Sequence, residues 1–257
     1  TNNSGNNCFQ TSAGTVVLDG TAQTIGGSSS TMFNNLTLSG NGTKTMAQSI
    51  STGGSAGNGV LDVSSQKLDL NSNTLSVTNG SVNAITYTIG YMLSEDVDNS
   101  SKVSWNINNQ PGTHVIPFGN RSGVLIPLTI SIRSGDLGVV TASTYTTTAN
   151  NQPYPVTPVL VNNVNDAFGN DNSAFMIDRF WQIDKSGVAA TSDITFTWAI
   201  VESPVMGNFP HAQVWNQNIG GWDYPFSNQS NPTSLSTYAP FVTQYGAFAI
   251  SSDESPL

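Results

Sequence analysis

The sequence predicts an all-β protein in two parts, an N-terminal solenoid-like or meandering region of short strands and a C-terminal antiparallel β-sandwich. Between Gly14 and about Tyr91, short stretches of alternating apolar and polar residues recur, and each closes on Asn or Gly. No helical period occurs in this part of the chain. Further along, the alternating stretches lengthen and aromatic residues become frequent. These three observations together predict the fold class.

We divide the chain into four ranges. Residues 1–12 form a polar, Asn-rich tail, residues 13–95 the short-strand region, residues 96–252 the sandwich, and residues 253–257 a polar end. The tail is predicted to dock on its own domain or on a neighbour, with Cys8 and Phe9 as candidate assembly residues. Cys8 is the single cysteine, so it is either an unused thiol or pairs between chains.

The short strands of the N-terminal region follow one another closely. They are TVVLDG at 15–20, FNNLTLSG at 33–40, GVLDV at 59–63, KLDLN at 67–71 and TLSVTNG at 74–80. Short strands with Asn or Gly corners favour a parallel solenoid, whose stacked rungs bury Leu, Val and Ile in a narrow interior. The spacing of the strands varies, so a meandering sandwich is the alternative.

The predicted centre of the sandwich is the stretch from residue 174 to residue 201. Its second half places Ile194, Phe196, Trp198 and Ile200 on one face of a strand, opposite Asp193, Thr195 and Thr197. Its first half places Phe175, Ile177, Trp181 and Ile183 on one face. We predict that these strands form an antiparallel pair that anchors the core. The predicted structural core residues are Phe180, Trp181, Phe196, Trp198 and Arg179.

Arg179 departs from the apolar pattern, because it shares the face of Ile177 and Trp181. Either the guanidinium is buried against a carboxylate such as Glu202, or a bulge turns the side chain outward.

Four further elements complete the predicted sandwich. A strand over residues 125–133 lies at an edge or begins near Pro127, which lacks an N–H donor. Residues 139–147 form a Thr-rich strand, and the prolines within residues 150–158 predict an extended loop. Residues 212–224 form a hairpin that turns at 218–221, and residues 244–251 close the sheet.

The composition excludes several classes of partner. Only 7 Lys and Arg occur against 16 Asp and Glu, giving a net charge of −9, which argues against nucleic acid and anionic membranes. No apolar run reaches the length of a transmembrane segment, and the start does not resemble a signal sequence. Charged residues make up only 9% of the chain, a composition typical of extracellular β-rich surface proteins.

Two oxygen-rich loops are candidate calcium sites. The first contains Glu95, Asp96 and Asp98, and the second contains Asp166 and Asp171. The first loop lacks the glycine and the distant bidentate Glu of an EF-hand loop, and for both loops a solvated turn is the alternative. No other cofactor is predicted.

The residues of common catalytic motifs are missing from the sequence. The only histidines are His114 and His211, and no HExxH, paired-Cys, GxSxG or phosphate-binding pattern occurs. Carboxylates for glycoside hydrolysis would have to come from Asp178, Asp184, Asp193, Glu202 or Asp223, whose separation the sequence does not show. We therefore expect no enzymatic activity.

Three aromatic residues near the predicted hairpin suggest a sugar-binding surface. Trp222 and Tyr224 are the candidate ligand residues, together with Trp215, which is alternatively a core residue.

Several motifs occur in the order found in a family of large surface proteins of Bacteroidota, which the chain resembles. They are QTIGG at 23–27, FNNLTL at 33–38, HVIPFGN at 114–120, IPLTI at 126–130, DRFWQI at 178–183, VWNQ at 214–217 and YGAFAI at 245–250. The resemblance spans most of the chain, but its motifs are structural. It implies export by type IX secretion, with residues 253–257 as the remnant of the junction to a removed sorting domain.

We therefore expect an extracellular, cell-surface structural protein that assembles with copies of itself into a filament, sheath or layer through β-edge contacts. The alternative is an adhesin or carbohydrate-binding module that contacts surface glycans through exposed aromatic residues.

Overall fold

The computed structural model describes residues 2–3, 13–203 and 210–252, which form an all-β fold. Residues 15–119 contain a three-sided parallel solenoid. Face 1 contains β1 (Thr15–Leu18), β4 (Asn35–Leu38), β7 (Leu61–Ser64) and β10 (Ile85–Tyr87). Face 2 contains β2 (Gln23–Ile25), β5 (Thr43–Met46), β8 (Lys67–Asp69), β11 (Tyr91–Leu93) and β14 (Phe118–Gly119). Face 3 contains β3 (Thr31–Met32), β6 (Ile50–Thr52), β9 (Thr74–Val77) and β12 (Lys102–Asn106).

Every strand pair within these three faces is parallel, which confirms the solenoid. A meander would instead place consecutive strands side by side in antiparallel pairs. The length of a rung varies, as the sequence spacing predicts: Thr15 lies opposite Asn35, whereas Leu36 lies opposite Leu61.

Alternate residues of each strand point inward and stack in ladders. On face 1 the buried Leu36 and Leu61 lie beneath Val16, and on face 3 Ile50, Leu75 and Val103 form a second ladder. The corners between faces need tight backbone turns. Gly40 has φ +71°, and a Cβ on it would lie 2.0 Å from the carbonyl oxygen of Asp19 on the previous rung. Only glycine fits this approach.

The sandwich is built on the last strand of face 3. Its first sheet extends that face in the order β3-β6-β9-β12-β16-β17-β23-β19-β20. The added strands are β16 (Val139–Thr146), β17 (Arg179–Lys185), β19 (His211–Asn216), β20 (Gly221–Trp222) and β23 (Gly246–Ser251). The second sheet has the order β13-β15-β18-β22-β21. Its strands are β13 (Thr113–Ile116), β15 (Leu128–Gly135), β18 (Ala190–Thr197), β21 (Ser230–Thr233) and β22 (Ser236–Val242).

The solenoid and the sandwich share both a sheet and a core. β12 pairs in parallel with β9 on one side and antiparallel with β16 on the other. One cluster of buried apolar side chains extends from Ile25 in the first rung to Ile250 in β23. The sheet and the core are thus continuous across residues 95 and 96, where we placed the boundary between the two parts.

The predicted antiparallel pair of central strands is wrong in its hydrogen bonding. β17 pairs with β16 and β23 in the first sheet, whereas β18 pairs with β15 and β22 in the second. The two strands face each other across the core, where the rings of Trp181 and Phe196 meet edge to face at 5.4 Å. An alternating pattern shows that one face of a strand is buried, but strands that face each other and strands that pair side by side give the same pattern.

The predicted apolar faces are otherwise correct within the strands and wrong at their ends. Phe180, Trp181, Phe196 and Trp198 are buried. Phe175 and Ile200 are largely exposed, because each lies in a short 3-10 turn, Ser173–Phe175 or Ile200–Glu202, where the period of two no longer applies.

The remaining predictions for the sandwich are correct in part: β16 forms as predicted, but β23 lies between β17 and β19 and does not close the sheet. β15 begins at Leu128, directly after Pro127, and lies between β13 and β18 rather than at an edge. The predicted hairpin forms from β19 and β20, with Trp215 opposite Trp222.

We expect Leu61→Ala, in the middle of the face 1 ladder, to lower the free energy of unfolding by about 2–5 kcal/mol. The reason is that Leu61 is fully buried, so truncation leaves a cavity in the solenoid interior. Leu160→Ala is the matched control, because Leu160 is 59% exposed, and it should change stability by less than about 0.5 kcal/mol. Urea denaturation followed by circular dichroism measures both, and equal effects would contradict the described interior.

Candidate functional site

The first rung of the solenoid is defined as β1, β2 and β3, and within the described residues its strands β1 and β2 each have one edge without a partner strand. β1 pairs only with β4 and β2 only with β5 among the described strands. Asn35 N donates to Gly14 O and Ser39 N donates to Leu18 O, so alternate residues of β1 bond toward β4. The peptide groups of Thr15 and Val17 therefore point away from the solenoid. They present N–H and C=O groups to an incoming strand.

The end of the solenoid beside this edge is apolar. A cavity of about 110 Å³ opens there, lined largely by Val16, Leu18, Ile25 and Phe33. Asp19 is the only charged residue between residues 13 and 42. Exposed edge strands are commonly protected by Lys, Pro or a bulge, and β1 has none of these.

Residues 2–3, the described part of the tail, contact the first rung of the same chain. Asn2 pairs with Gly27 in a parallel bridge, and its side-chain amide donates to Ser30 O at 2.9 Å. Of the two predicted docking modes, residues 2–3 therefore adopt the one on their own domain. Cys8 and Phe9, the candidate assembly residues, lie outside the described residues, as do residues 253–257.

The sequence analysis missed a polar cluster in the second face near this end. Lys44 is fully buried and points into the solenoid, where its Nζ donates to Gly20 O and, at 3.3 Å, to Asn41 O. Gln23, directly opposite on the first rung, accepts from Gly20 N at 2.9 Å. These bonds hold the corner that follows β1. The sequence TKTM at 43–46 could have predicted this buried lysine, because in a strand Lys44 points to the same, inward side as Met46.

Arg179 lies at the centre of a buried ion cluster in the sandwich. Its guanidinium is 0% exposed and donates to Glu202 at 2.6 and 3.0 Å, to Glu95 at 2.5 Å and to the Thr144 hydroxyl at 3.0 Å. The prediction of a buried Arg179 paired with Glu202 is confirmed. The cluster ties β17 to β16, to the loop after β11 and to the Ile200–Glu202 turn.

The prediction of Glu95 as a calcium ligand is wrong, because its carboxylate is buried against Arg179 and accepts a hydrogen bond from Thr146 N at 2.8 Å. The local loop sequence gave no sign of this partner, which comes from a strand far along the chain.

The other acidic candidates accept hydrogen bonds from residues of their own or a neighbouring loop. Asp96 accepts bonds from Ser72 and Ser101, and Asp98 accepts from Ser100 N. Hydrogen bonding from Ser100 lowers the pKa of Asp98. Asp166 bonds to Asn170, which lowers the pKa of Asp166, and Asp171 bonds to Ser173. No group of three or more His, Cys, Asp or Glu residues among the described residues is arranged to hold a metal ion.

Asp178 lies beside the ion cluster at a cavity of about 120 Å³ that is also lined by Thr147 and Glu202. Burial, and then the nearby charge of Glu202, raise the pKa of Asp178 to about 6. Its Oδ1 is buried and has no hydrogen-bond partner within the described part of the chain. The Arg179 cluster contains two carboxylates and only one cation. A third negative charge, on Asp178, is therefore unfavourable.

The remaining carboxylates considered for catalysis lie elsewhere, each with its own partners. Asp184 accepts from Gln182, Asp193 from Arg133 and Tyr238, and Asp223 from Asn216. His114 is fully buried, with its ring edge on Trp105 and Nε2 2.9 Å from Gly80 O, and burial lowers its pKa. Each of these side chains therefore has a structural partner among the described residues.

The prediction that Trp222 belongs to a sugar-binding surface is wrong. This side chain is buried, stacks on Phe180 with ring centroids 6.2 Å apart and donates to Asn163 O at 3.2 Å. Trp215 is also buried, as in the alternative that assigned it to the core. Tyr224 is 76% exposed and is therefore the only one of the three at the surface.

Comparison with known proteins assigns no family to this chain: no family model, no curated protein and no solved structure matches it. Within the described ranges, no helix has the length and apolar character needed to cross a membrane. The resemblance to Bacteroidota surface proteins therefore stays a prediction.

We expect Arg179→Met to lower the free energy of unfolding by about 3–5 kcal/mol, because it leaves the carboxylates of Glu95 and Glu202 buried without a cation. The matched control is Arg121→Met. Arg121 is 61% exposed and lies 3.6 Å from Asp96, so its loss should cost less than about 1 kcal/mol. Urea denaturation at neutral pH measures both, and similar losses would show that the cluster is not desolvated.

The raised pKa of Asp178 predicts a stability that depends on pH. Because the folded-state value of about 6 exceeds the ordinary value of 3.8, the contribution of this group is complete below pH 3.8 and is lost as the pH rises through 6. Asp178→Asn mimics the protonated form. We expect this variant to be more stable than the parent above pH 6, by about 1 kcal/mol after allowance for solvent screening, and equal to it near pH 4.

Denaturation curves at several pH values between 4 and 8 test this expectation. Asp19→Asn controls for the loss of one negative charge, because Asp19 is exposed. A constant difference between the Asp178 variant and the parent at all pH values would reject the assignment.

Proposed function

We propose that this protein is a secreted structural subunit of the cell surface, which assembles with further copies of itself through β-edge contacts at the first rung. The observation that carries the proposal is the outer edge of β1, where the peptide groups of Thr15 and Val17 face outward. Strand addition at such an edge supplies main-chain hydrogen bonds, each with a net value of about 0.5–1.5 kcal/mol.

The apolar end of the solenoid supports the same contact. A strand or rung that covers this end would also bury the exposed parts of Val16 and Leu18 around the end cavity. The lack of charge along this edge removes the repulsion that usually keeps exposed strands apart.

The two ends of the solenoid differ, which favours a filament over a closed dimer. The far end continues into the sandwich through β12 and β16, so it is not a second copy of the open end. A contact between the first rung and a different surface of the next copy is head-to-tail, and contacts of this kind generate open assemblies unless their rotation closes a ring.

The composition and the motifs support the proposed location. A charged fraction of 9% is typical of extracellular β-rich proteins, and the resemblance to Bacteroidota surface proteins implies export by type IX secretion. In this proposal the chain acts as a building block and not as an enzyme.

We expect Val17→Pro to abolish assembly while leaving the monomer folded. Proline removes the outward N–H of β1, but it spares the bonds to β4, which use Gly14 and Leu18. Purified protein is examined by electron microscopy and by light scattering after size exclusion. Circular dichroism and urea denaturation establish that the fold is intact.

Val17→Ala is the matched control, because it removes the exposed side chain but keeps the N–H donor. If main-chain pairing drives assembly, the alanine variant assembles and the proline variant does not. Normal polymers of the proline variant, or a parent that stays monomeric at all concentrations, would reject the proposal.

A further inference from the structure

A third cavity lies beside β19 and β20, at the margin of the nine-stranded sheet that is opposite β3 of the first rung. We propose that this cavity binds a single neutral sugar unit. Its volume is about 220 Å³, and its lining includes Trp215, Asn216, Gln217, Asp223, Gln244 and Tyr245. It rests on different residues from the assembly edge, so either proposal can fail without the other.

Three chain segments build the cavity at one end of the sandwich. The end of β19 and its turn contribute Trp215, Asn216 and Gln217, and the residue after β20 contributes Asp223. The residues before β23 contribute Gln244 and Tyr245, and Val159 of the long loop after β16 closes the apolar side. Loops that meet at the end of a sandwich are a common position for binding sites.

The aromatic walls are held in place before any ligand arrives. Trp215 packs edge to face on the buried Trp222, with ring centroids 5.3 Å apart. The Tyr245 hydroxyl lies 2.7 Å from Ser192 Oγ, and Lys185 Nζ lies 5.4 Å from the centre of its ring. Rigid aromatic and aliphatic surfaces suit the C–H faces of a sugar ring, and they lose little conformational entropy on binding.

The polar groups of the cavity fit hydroxyl partners. The Asn216 amide donates to both oxygens of Asp223, at 2.9 and 3.3 Å, and accepts from Asn218 N at 3.0 Å. The carboxylate is therefore oriented and keeps lone pairs for further donors. Gln217 and Gln244 are exposed at the rim, and each amide offers both a donor and an acceptor, as a hydroxyl-rich ligand requires.

The charge and the size of the cavity narrow the ligand class. No Lys, Arg or His belongs to the lining, and Asp223 is its only ionisable acid, so carboxylated, sulfated or phosphorylated sugars are repelled. Pockets for drug-sized ligands are about 300–1,000 Å³. A smaller volume accommodates one ring, either a free monosaccharide or one unit of a polysaccharide.

Saturation-transfer NMR and calorimetry on the full chain test the proposal. The neutral probes are the methyl glycosides of glucose, galactose and mannose, and N-acetylglucosamine, and the anionic probes are glucuronic acid and N-acetylneuraminic acid. We expect at least one neutral probe to bind in the millimolar range, and the anionic probes to bind at least about tenfold more weakly.

Variants locate the binding. The double variant Gln217→Ala with Gln244→Ala alters only exposed side chains at the rim and should weaken binding at least about tenfold with an unchanged circular dichroism spectrum. Tyr224→Ala is the matched control, because Tyr224 is exposed but does not line the cavity, and its binding should equal that of the parent.

Three results would overturn the proposal. Failure of every neutral probe to bind at about 10 mM would exclude a sugar site of useful affinity. Preferential binding of the anionic probes would refute the ligand class. Binding that persists in the Gln217 and Gln244 double variant, or that is lost in Tyr224→Ala, would place the site elsewhere.

Discussion

The structure depends on one strand, β12, which pairs in parallel with the solenoid and antiparallel with the sandwich. Its Trp105 is fully buried, donates to Asn79 O at 2.7 Å and packs against His114 of the opposite sheet. A strand that bonds on both sides has no free edge. β12 therefore continues face 3 into the sandwich at one end of the solenoid, and the first rung lies at the other end.

The buried ion cluster constrains the other half of the molecule. Replacing such a cluster by apolar residues often costs little, but removing one partner leaves a charge without compensation. Arg179 needs both Glu95 and Glu202, so the loop after β11, the strand β17 and the turn after β18 must be in place together. Burial, and then the negative charge of Glu202 in this cluster, raise the pKa of the neighbouring Asp178.

The two proposed functions use different surfaces and different chemistry: assembly uses the edge strand β1 of face 1, and the cavity lies beside β19 and β20 of the nine-stranded sheet. The first rung offers main-chain groups and apolar surface with almost no charge, which suits a second strand. The cavity beside β19 offers fixed aromatic walls and amides, which suit a small polar ring. A surface subunit with both would polymerise through β1 and contact glycans through the cavity beside β19.

Local sequence patterns were enough to predict the strand character, the inward faces of most strands and the Asn and Gly corners, because a period of two and the tolerance for turn geometry are local properties. The sequence also showed that Arg179 shared an apolar face, and of the two predicted outcomes, burial against a carboxylate such as Glu202 or an outward turn at a bulge, the structure has the first. Only the tertiary structure decided that β17 and β18 face each other, that Glu95 completes the ion cluster and that Trp222 is buried. An alternating pattern shows that one face of a strand is buried. It does not show which residues pack against that face, because these residues are distant in the chain.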